Sequence, residues 1–147
     1  MRLVKCYLYK IKLNYNKNKL VQQSSFCASI NCSQQRTTVA AIDSAASNNY
    51  FPASYIGEDH CSTQGMMSDI VGTANGSNME SVASNRYIMD GVPAAAQTCK
   101  KFVEVKLPLV SVGKLCTNGM LVLFDADSVN VFNQQTRQIV AQGKRDI

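Results

Sequence analysis

Tryptophan is absent, histidine occurs once and proline three times in the 147 residues. With a single imidazole, any Ser-His-Asp or Cys-His scheme must use His60, and that residue sits in the polar stretch Glu58-Asp59-His60-Cys61, where an exposed loop position is expected. The six cysteines, at 6, 27, 32, 61, 99 and 116, form no C-x-x-C pair, so a zinc knuckle is not expected, nor any other metal or cofactor. No stretch approaches the roughly 20 apolar residues of a membrane span. Lys5, Lys10 and Lys12 interrupt any apolar leader near the start. A reducing, cytoplasmic compartment with free thiols is therefore the expectation. The glycines of Gly72-Thr73-Ala74-Asn75-Gly76 lack the Gly-Lys-Ser/Thr ending of a phosphate loop, which leaves nucleotide binding unsupported.

What is present is apolar: 46% hydrophobic residues against 17% charged, enough for one packed domain. The net charge of +5 is a local property, because seven of the fifteen basic residues precede the first acid, Asp43. Residues 1–36 accordingly read as a basic, poorly ordered segment ahead of a domain at 37–147, and nucleic-acid binding is confined to that arm. Within it Tyr7, Tyr9, Ile11, Leu13 and Tyr15 alternate with Leu8, Lys10, Lys12 and Asn14, which is strand periodicity. The Lys, Asn, Tyr, Leu and Ile bias of the first twenty residues also suits translated AT-rich flanking DNA.

From Arg36 onward short strands alternate with turn signals, which predicts a mostly β domain with one short helix. Thr37 to Ile42 is a β-rich run that ends at Asp43. Met67–Thr73 and Asn78–Ala83 flank Ala74-Asn75-Gly76-Ser77, and Asn-Gly between such runs predicts a type I′ hairpin with both central residues at positive φ. Lys101 to Leu107 alternates as another strand. Val112 to Thr117 is expected to make one or two helical turns closed by Asn118-Gly119. Met120–Phe124 and Val129–Phe132 read as a hairpin around Asp125-Ala126-Asp127, with a last short strand at Ile139–Ala141 before a polar tail, Gln142 to Asp146. Residues 120–147 either complete the domain or lead as a linker toward a further one.

The chemistry concentrates at Asp43. An aspartate at a strand end is commonly a turn former. Here, however, it is followed by Ser44, Ala45 and Ala46, all small, so that the loop can meet an identical loop of a second chain at close range. Two carboxylates about 3 Å apart cannot both ionise comfortably and share a proton. Such a couple holds a water that one carboxylate activates as base while the other acts as acid toward a peptide carbonyl.

The run Asp43-Ser44-Ala45-Ala46-Ser47, the Ala74-Asn75-Gly76 hairpin, Val92-Pro93-Ala94-Ala95-Ala96, and above all Leu109-Val110-Ser111-Val112-Gly113-Lys114-Leu115-Cys116, followed by Gly119 and Phe124, resemble a known family. It is the retropepsin-like protease region of Copia-type retrotransposon Gag-Pol polyproteins, and the likeness runs from about Thr38 to Arg145. The resemblance implies a closed β domain that is half of a homodimeric aspartic endopeptidase acting on a peptide or polyprotein substrate, without cofactor, metal or membrane partner. It implies Asp43 as the catalytic aspartate and Ser44, Ala45 and Ala46 as its loop. Ala74, Asn75 and Gly76 become the tip of a flap, and Val112 and Gly113 the support behind the loop, with Gly113 in the strand-to-helix turn. The family's loop is Asp-Ser/Thr-Gly, and this chain has Ala45 in the glycine position; the added methyl costs free energy where φ is positive or a partner loop is close. The alternatives are a catalytically inactive remnant that keeps the β fold, and a nucleic-acid-associated protein using the basic N-terminus.

Overall fold

The computed structural model describes residues 8–15, 36–61, 68–73 and 75–146. They form a mixed ten-stranded sheet, a separate two-stranded hairpin and one short helix. The sheet begins with β1 (Leu8–Tyr15), in which Tyr9, Ile11 and Leu13 are buried while Lys10 and Lys12 lie on the other face, the period of two that a half-buried strand requires. β1 pairs antiparallel with β2 (Arg36–Asp43) on one side and with the last strand, β12 (Ile139–Asp146), on the other. The Tyr9 hydroxyl donates to the Asp125 carbonyl at 2.8 Å, and its ring meets Phe124 edge-on at 5.0 Å. The described part of the basic N-terminal segment is thus an interior strand of the sheet, and the domain boundary expected at 36 does not hold for Leu8–Tyr15. Its alternation was the correct signal; its lysines belong to the outward face.

Between β2 and β12 the chain runs through β3 (Tyr50–Pro52), β4 (Glu58–Cys61), β5 (Ile70–Gly72), β6 (Asn78–Glu80), β7 (Ala83–Arg86), a 3-10 turn at Ala94–Gln97, β8 (Thr98–Phe102), β9 (Leu109–Ser111), α1 (Val112–Thr117), β10 (Met120–Phe124) and β11 (Ser128–Asn133). The sheet order is β10-β11-β12-β1-β2-β9-β3-β8-β7-β4, with β5 and β6 paired only with each other. β2 and β9 are parallel, and so are β3 and β8; the other pairings are antiparallel. β2 has a strand on both sides and an apolar run, Val39-Ala40-Ala41-Ile42, of which the last three residues are buried.

The main core lies on the face bearing Tyr9, Ile11, Leu13, Ala40 and Ile42, with Phe51, Tyr87, Val110, Leu115, Val129 and Val131. Phe51 stacks on Tyr87 at 5.2 Å and meets Tyr55 edge-on at 4.7 Å. β12 comes so close to β1 that a Cβ on Gly143 would sit 2.3 Å from the Lys10 carbonyl oxygen, so this strand position accepts glycine alone. The polar tail expected at Gln142–Asp146 is therefore strand, and the C-terminal residues from Met120 through β12 complete the sheet.

Three other expectations are revised. The strand predicted at Lys101–Leu107 is shifted to Thr98–Phe102, and Val103 is exposed in the bend that follows. The Asn75-Gly76 turn does not have both residues at positive φ: only Gly76 does, at +84°. It closes a three-residue loop in which Gly76 N–H donates to the Thr73 carbonyl and Thr73 N–H to the Ser77 carbonyl. Ala74 and Met67 lie outside the described residues. His60, expected in a loop, belongs to β4. Among the described residues no helix is long and apolar enough to cross a membrane.

Candidate functional site

β2 ends at Asp43, which stands in register beside Ser111, the last residue of parallel β9. Both strands deliver their last residue to the same place, where the chain leaves the sheet. Asp43 is half-buried, and its Oδ1 accepts a 2.8 Å hydrogen bond from the Ala45 N–H, a turn formed by the aspartate itself. The carboxylate meets no cation among the described residues. Ser44 and Ala45 are exposed, and Ala45 has no positive φ. The methyl at 45 therefore carries no backbone strain in the single chain. Ala46 turns inward against Tyr50 and Phe102.

The loop is held from behind by buried polar groups. Ser111 Oγ donates to the Ala46 carbonyl at 2.6 Å and accepts from the Lys114 N–H at 3.2 Å, so one hydroxyl both ties down the loop and caps α1. Asn49, fully buried, accepts from the Ser111 N–H at 2.8 Å and donates to the Ala96 and Thr98 carbonyls at 2.8 and 2.7 Å. One carboxamide thus joins the loop after Asp43, the end of β9 and the 3-10 turn. Lys114 reaches from α1 to Asn48 Oδ1 at 2.7 Å and to the Thr98 carbonyl at 2.9 Å. Burial pulls its ammonium below the ordinary lysine range, and raises the neighbouring Cys99 thiol to about 12.

The hairpin β5–β6 leans on this same loop. Val71 and Met79, opposite each other across its two strands, pack on the cluster of Ala46, Tyr50, Phe102, Val105 and Leu109. Its base is fixed by an Asp69–Lys100 ion pair at 2.8 Å and by the Ser81 N–H on the Asp69 carbonyl at 2.9 Å. The tip residues Asn75 and Gly76 are exposed, with Asn75 Oδ1 accepting from the Ser77 N–H at 3.0 Å.

The structure therefore brings together the Asp43 loop, Ser111 and the inner face of the hairpin, while among the described residues the tip makes only turn contacts. Val112 packs half-buried against the main core. Gly113 is not in the strand-to-helix turn: Ser111 makes that turn, and Gly113 lies exposed inside α1, where a Cβ would have only Ser111 Oγ at 3.7 Å as a neighbour. The residues that sequence reasoning missed are Asn49 and Lys114. Their only visible mark is a polar residue directly before an aromatic pair, Tyr50-Phe51, and a lysine within an apolar run. Among the described residues no three His, Cys, Asp or Glu side chains are grouped as metal ligands. Comparison with family models, with curated proteins and with solved structures found no match to this chain.

Proposed function

We propose that the chain is one half of a homodimeric aspartic endopeptidase of the retropepsin type, with Asp43 as its single catalytic group. The observation that carries the reading is the placement of Asp43. It is half-buried and, among the described residues, without a cation partner, at the mouth of two parallel strands, on a loop whose outward residues, Ser44 and Ala45, are small. A loop of that size lets the Asp43 loop of a second copy approach, and the two carboxylates then share one proton and titrate as a pair. One takes a proton from a water held between them as that water attacks the peptide carbonyl, and the other protonates the carbonyl oxygen. The substrate is an extended peptide held through its backbone under the β5–β6 hairpin, whose tip, Ala74 to Gly76, serves as the flap. The ordinary φ of Ala45 supports the view that alanine replaces glycine in this loop without strain in each subunit.

Asp43→Asn should abolish pepstatin-sensitive peptide cleavage at mildly acidic pH, and sedimentation should show dimers at the concentrations where the wild-type chain cleaves. Cleavage that survives this substitution refutes the assignment. A second reading is favoured by one contact, the Ala45 N–H on Asp43 Oδ1 at 2.8 Å: an aspartate that only shapes its turn, in a β domain without activity. A strict monomer with no cleavage at any concentration selects that reading.

A further inference from the structure

Asparagine is followed by glycine twice in this chain, at Asn75-Gly76 and at Asn118-Gly119. Both glycines have positive φ, +84° and +82°, and neither has an atom within 4 Å of where a Cβ would stand. The backbone nitrogen after an asparagine can attack the side-chain carboxamide, and glycine, without a side chain, leaves that nitrogen unshielded. As sequence the two pairs are equivalent. The fold holds their carboxamides by opposite ends.

At the hairpin tip the oxygen is held. Asn75 Oδ1 accepts from the Ser77 N–H at 3.0 Å and from the Ser77 hydroxyl at 2.7 Å, and the Thr73 hydroxyl is a third donor on the same atom. Among the described residues nothing holds Asn75 Nδ2, and both Asn75 and Gly76 are exposed. After α1 the nitrogen is held instead: half-buried Asn118 donates from Nδ2 to the Lys114 carbonyl at 2.7 Å, and among the described residues no donor reaches its Oδ1. Gly119 is fixed at both ends, its N–H on the Cys116 carbonyl at 3.2 Å and its own carbonyl under the Gln134 N–H at 3.0 Å. Gly76 N–H has only the turn bond to the Thr73 carbonyl, at 2.9 Å.

We propose that Asn75 is a site of spontaneous deamidation in the folded chain and that Asn118 is not. The Gly76 nitrogen gives its proton to hydroxide and bonds to Asn75 Cγ, and the negative charge develops on Oδ1, where the Ser77 and Thr73 donors already point. The Cγ–Nδ2 bond then breaks, and the nitrogen takes a proton from water and leaves as ammonia. Water opens the resulting succinimide at one of its two carbonyl carbons, which leaves aspartate or isoaspartate at position 75. At Asn118 the same attack would put the charge on an oxygen without a donor, and the departing nitrogen would have to abandon the Lys114 carbonyl.

The product changes the electrostatics of the hairpin. From Ser68 to Ser81 the sequence carries Asp69 and Glu80 and no basic residue, so the reaction adds a third negative charge there and takes one from the net charge of +5. The aspartate form keeps the turn, because its carboxylate accepts from the same donors in charge-assisted bonds. The modification stands independently of the proteolytic reading, since it needs neither a dimer nor activity.

The test is peptide mapping by mass spectrometry, with the site localised by fragmentation, on the wild-type chain incubated folded at mildly alkaline pH in water enriched in heavy oxygen. Each event then leaves a heavy oxygen where it occurred. Asn75 should convert about tenfold faster than Asn118, and in concentrated urea the two rates should converge. The double variant Thr73→Val, Ser77→Ala removes both hydroxyl donors and should slow Asn75 about tenfold, with the Asn118 rate unchanged as the sign that the fold stands. Where that variant instead raises Asn118 to its urea rate, Ser77→Ala alone is read, with a slowing of about threefold. The proposal is overturned by any of three results: folded-state rates that are equal or favour Asn118, a ratio that urea does not change, or an Asn75 rate unmoved in the folded variant.

Discussion

The loop that follows Asp43 and the hairpin that leans on it are neighbours built by opposite means. The loop, residues 43–50, is braced by buried hydrogen bonds to β9, α1 and the 3-10 turn, most of them through two side chains, Asn49 and Ser111. The hairpin is a two-stranded ribbon outside the main sheet, joined to the rest, among the described residues, by two apolar side chains, one surface ion pair and a few backbone bonds at its base. Two strands alone are marginally stable in water. Buried polar networks are costly to break and specify one arrangement, whereas a lightly attached ribbon opens on its own. A site that needs a fixed carboxylate under a movable cover would divide its stability in this way, and each prediction that follows tests that division.

The largest effect is expected at Asn49. Asn49→Ala leaves the buried Ser111 N–H without its partner, at about 1–3 kcal/mol, and removes a donor from the Ala96 and Thr98 carbonyls, which keep the Tyr87 hydroxyl and Lys114 Nζ respectively. A loss of about 3 kcal/mol is expected, read as a lower urea midpoint with an unchanged m-value. A loss below about 1 kcal/mol would show that the loop is held by packing and not by this carboxamide.

A smaller, pH-dependent effect belongs to Cys99, which sits on β8 beside the same network. Burial raises its thiol from 9.0 to about 12 in the folded chain. Below pH 9 the thiol is protonated in both states and contributes no pH dependence. Between 9 and about 12 the unfolded chain loses the proton and the folded chain keeps it, so the unfolded state binds fewer protons and stability falls as pH rises. Lys114 acts in the opposite direction, since its lowered value makes the folded chain give up a proton first as alkaline pH is approached. Cys99→Ala should therefore remove most of the alkaline loss, a few kcal/mol at the upper end of the window. Urea midpoints measured from pH 8.5 to 11 on both chains check it; parallel curves would place the alkaline loss elsewhere, Tyr87 being the next group that burial raises.

The sequence carried the strands with strong alternation and the turns with strong chemistry. β1 is legible from Tyr9, Ile11 and Leu13, β2 from its apolar run, and the β10–β11 hairpin from Asp125 and its neighbours, whose carboxylate accepts from the Asp127 and Ser128 N–H groups. Helix α1 and its closure at Asn118-Gly119 were equally visible. What was hidden is non-local. β3, β4 and β7 are three or four residues long, too short for periodicity, and exist because neighbouring strands complete their hydrogen bonds. Lys10, Lys12 and Lys144 looked like parts of a solvated arm and a tail because nothing local places β1 beside β12. At the site, Asp43 stood out through its small neighbours, but Asn49 acquires its role only when residues 96, 98 and 111 converge on it. Gly113 misled because a glycine next to a helix start reads as a turn, while the turn itself is made by a serine that caps.

The smallest effect should come from the hairpin tip. Gly76 has φ +84° and nothing within 4 Å of where a Cβ would stand, so Gly76→Ala brings backbone strain and no clash, about 1–2 kcal/mol. Where that energy appears distinguishes the two regions. A ribbon that opens independently absorbs it locally: exchange of the amide hydrogens bonded within β5–β6 should accelerate about five- to thirtyfold, while the global urea midpoint moves far less than it does with Asn49→Ala. If instead Gly76→Ala lowered the global midpoint by the full 1–2 kcal/mol and left the ratio of hairpin to core exchange unchanged, the ribbon and the sheet would unfold as one unit. The hairpin would then be a fixed part of the wall beside Asp43, and peptide could reach the carboxylate only through an opening that already exists in the folded chain.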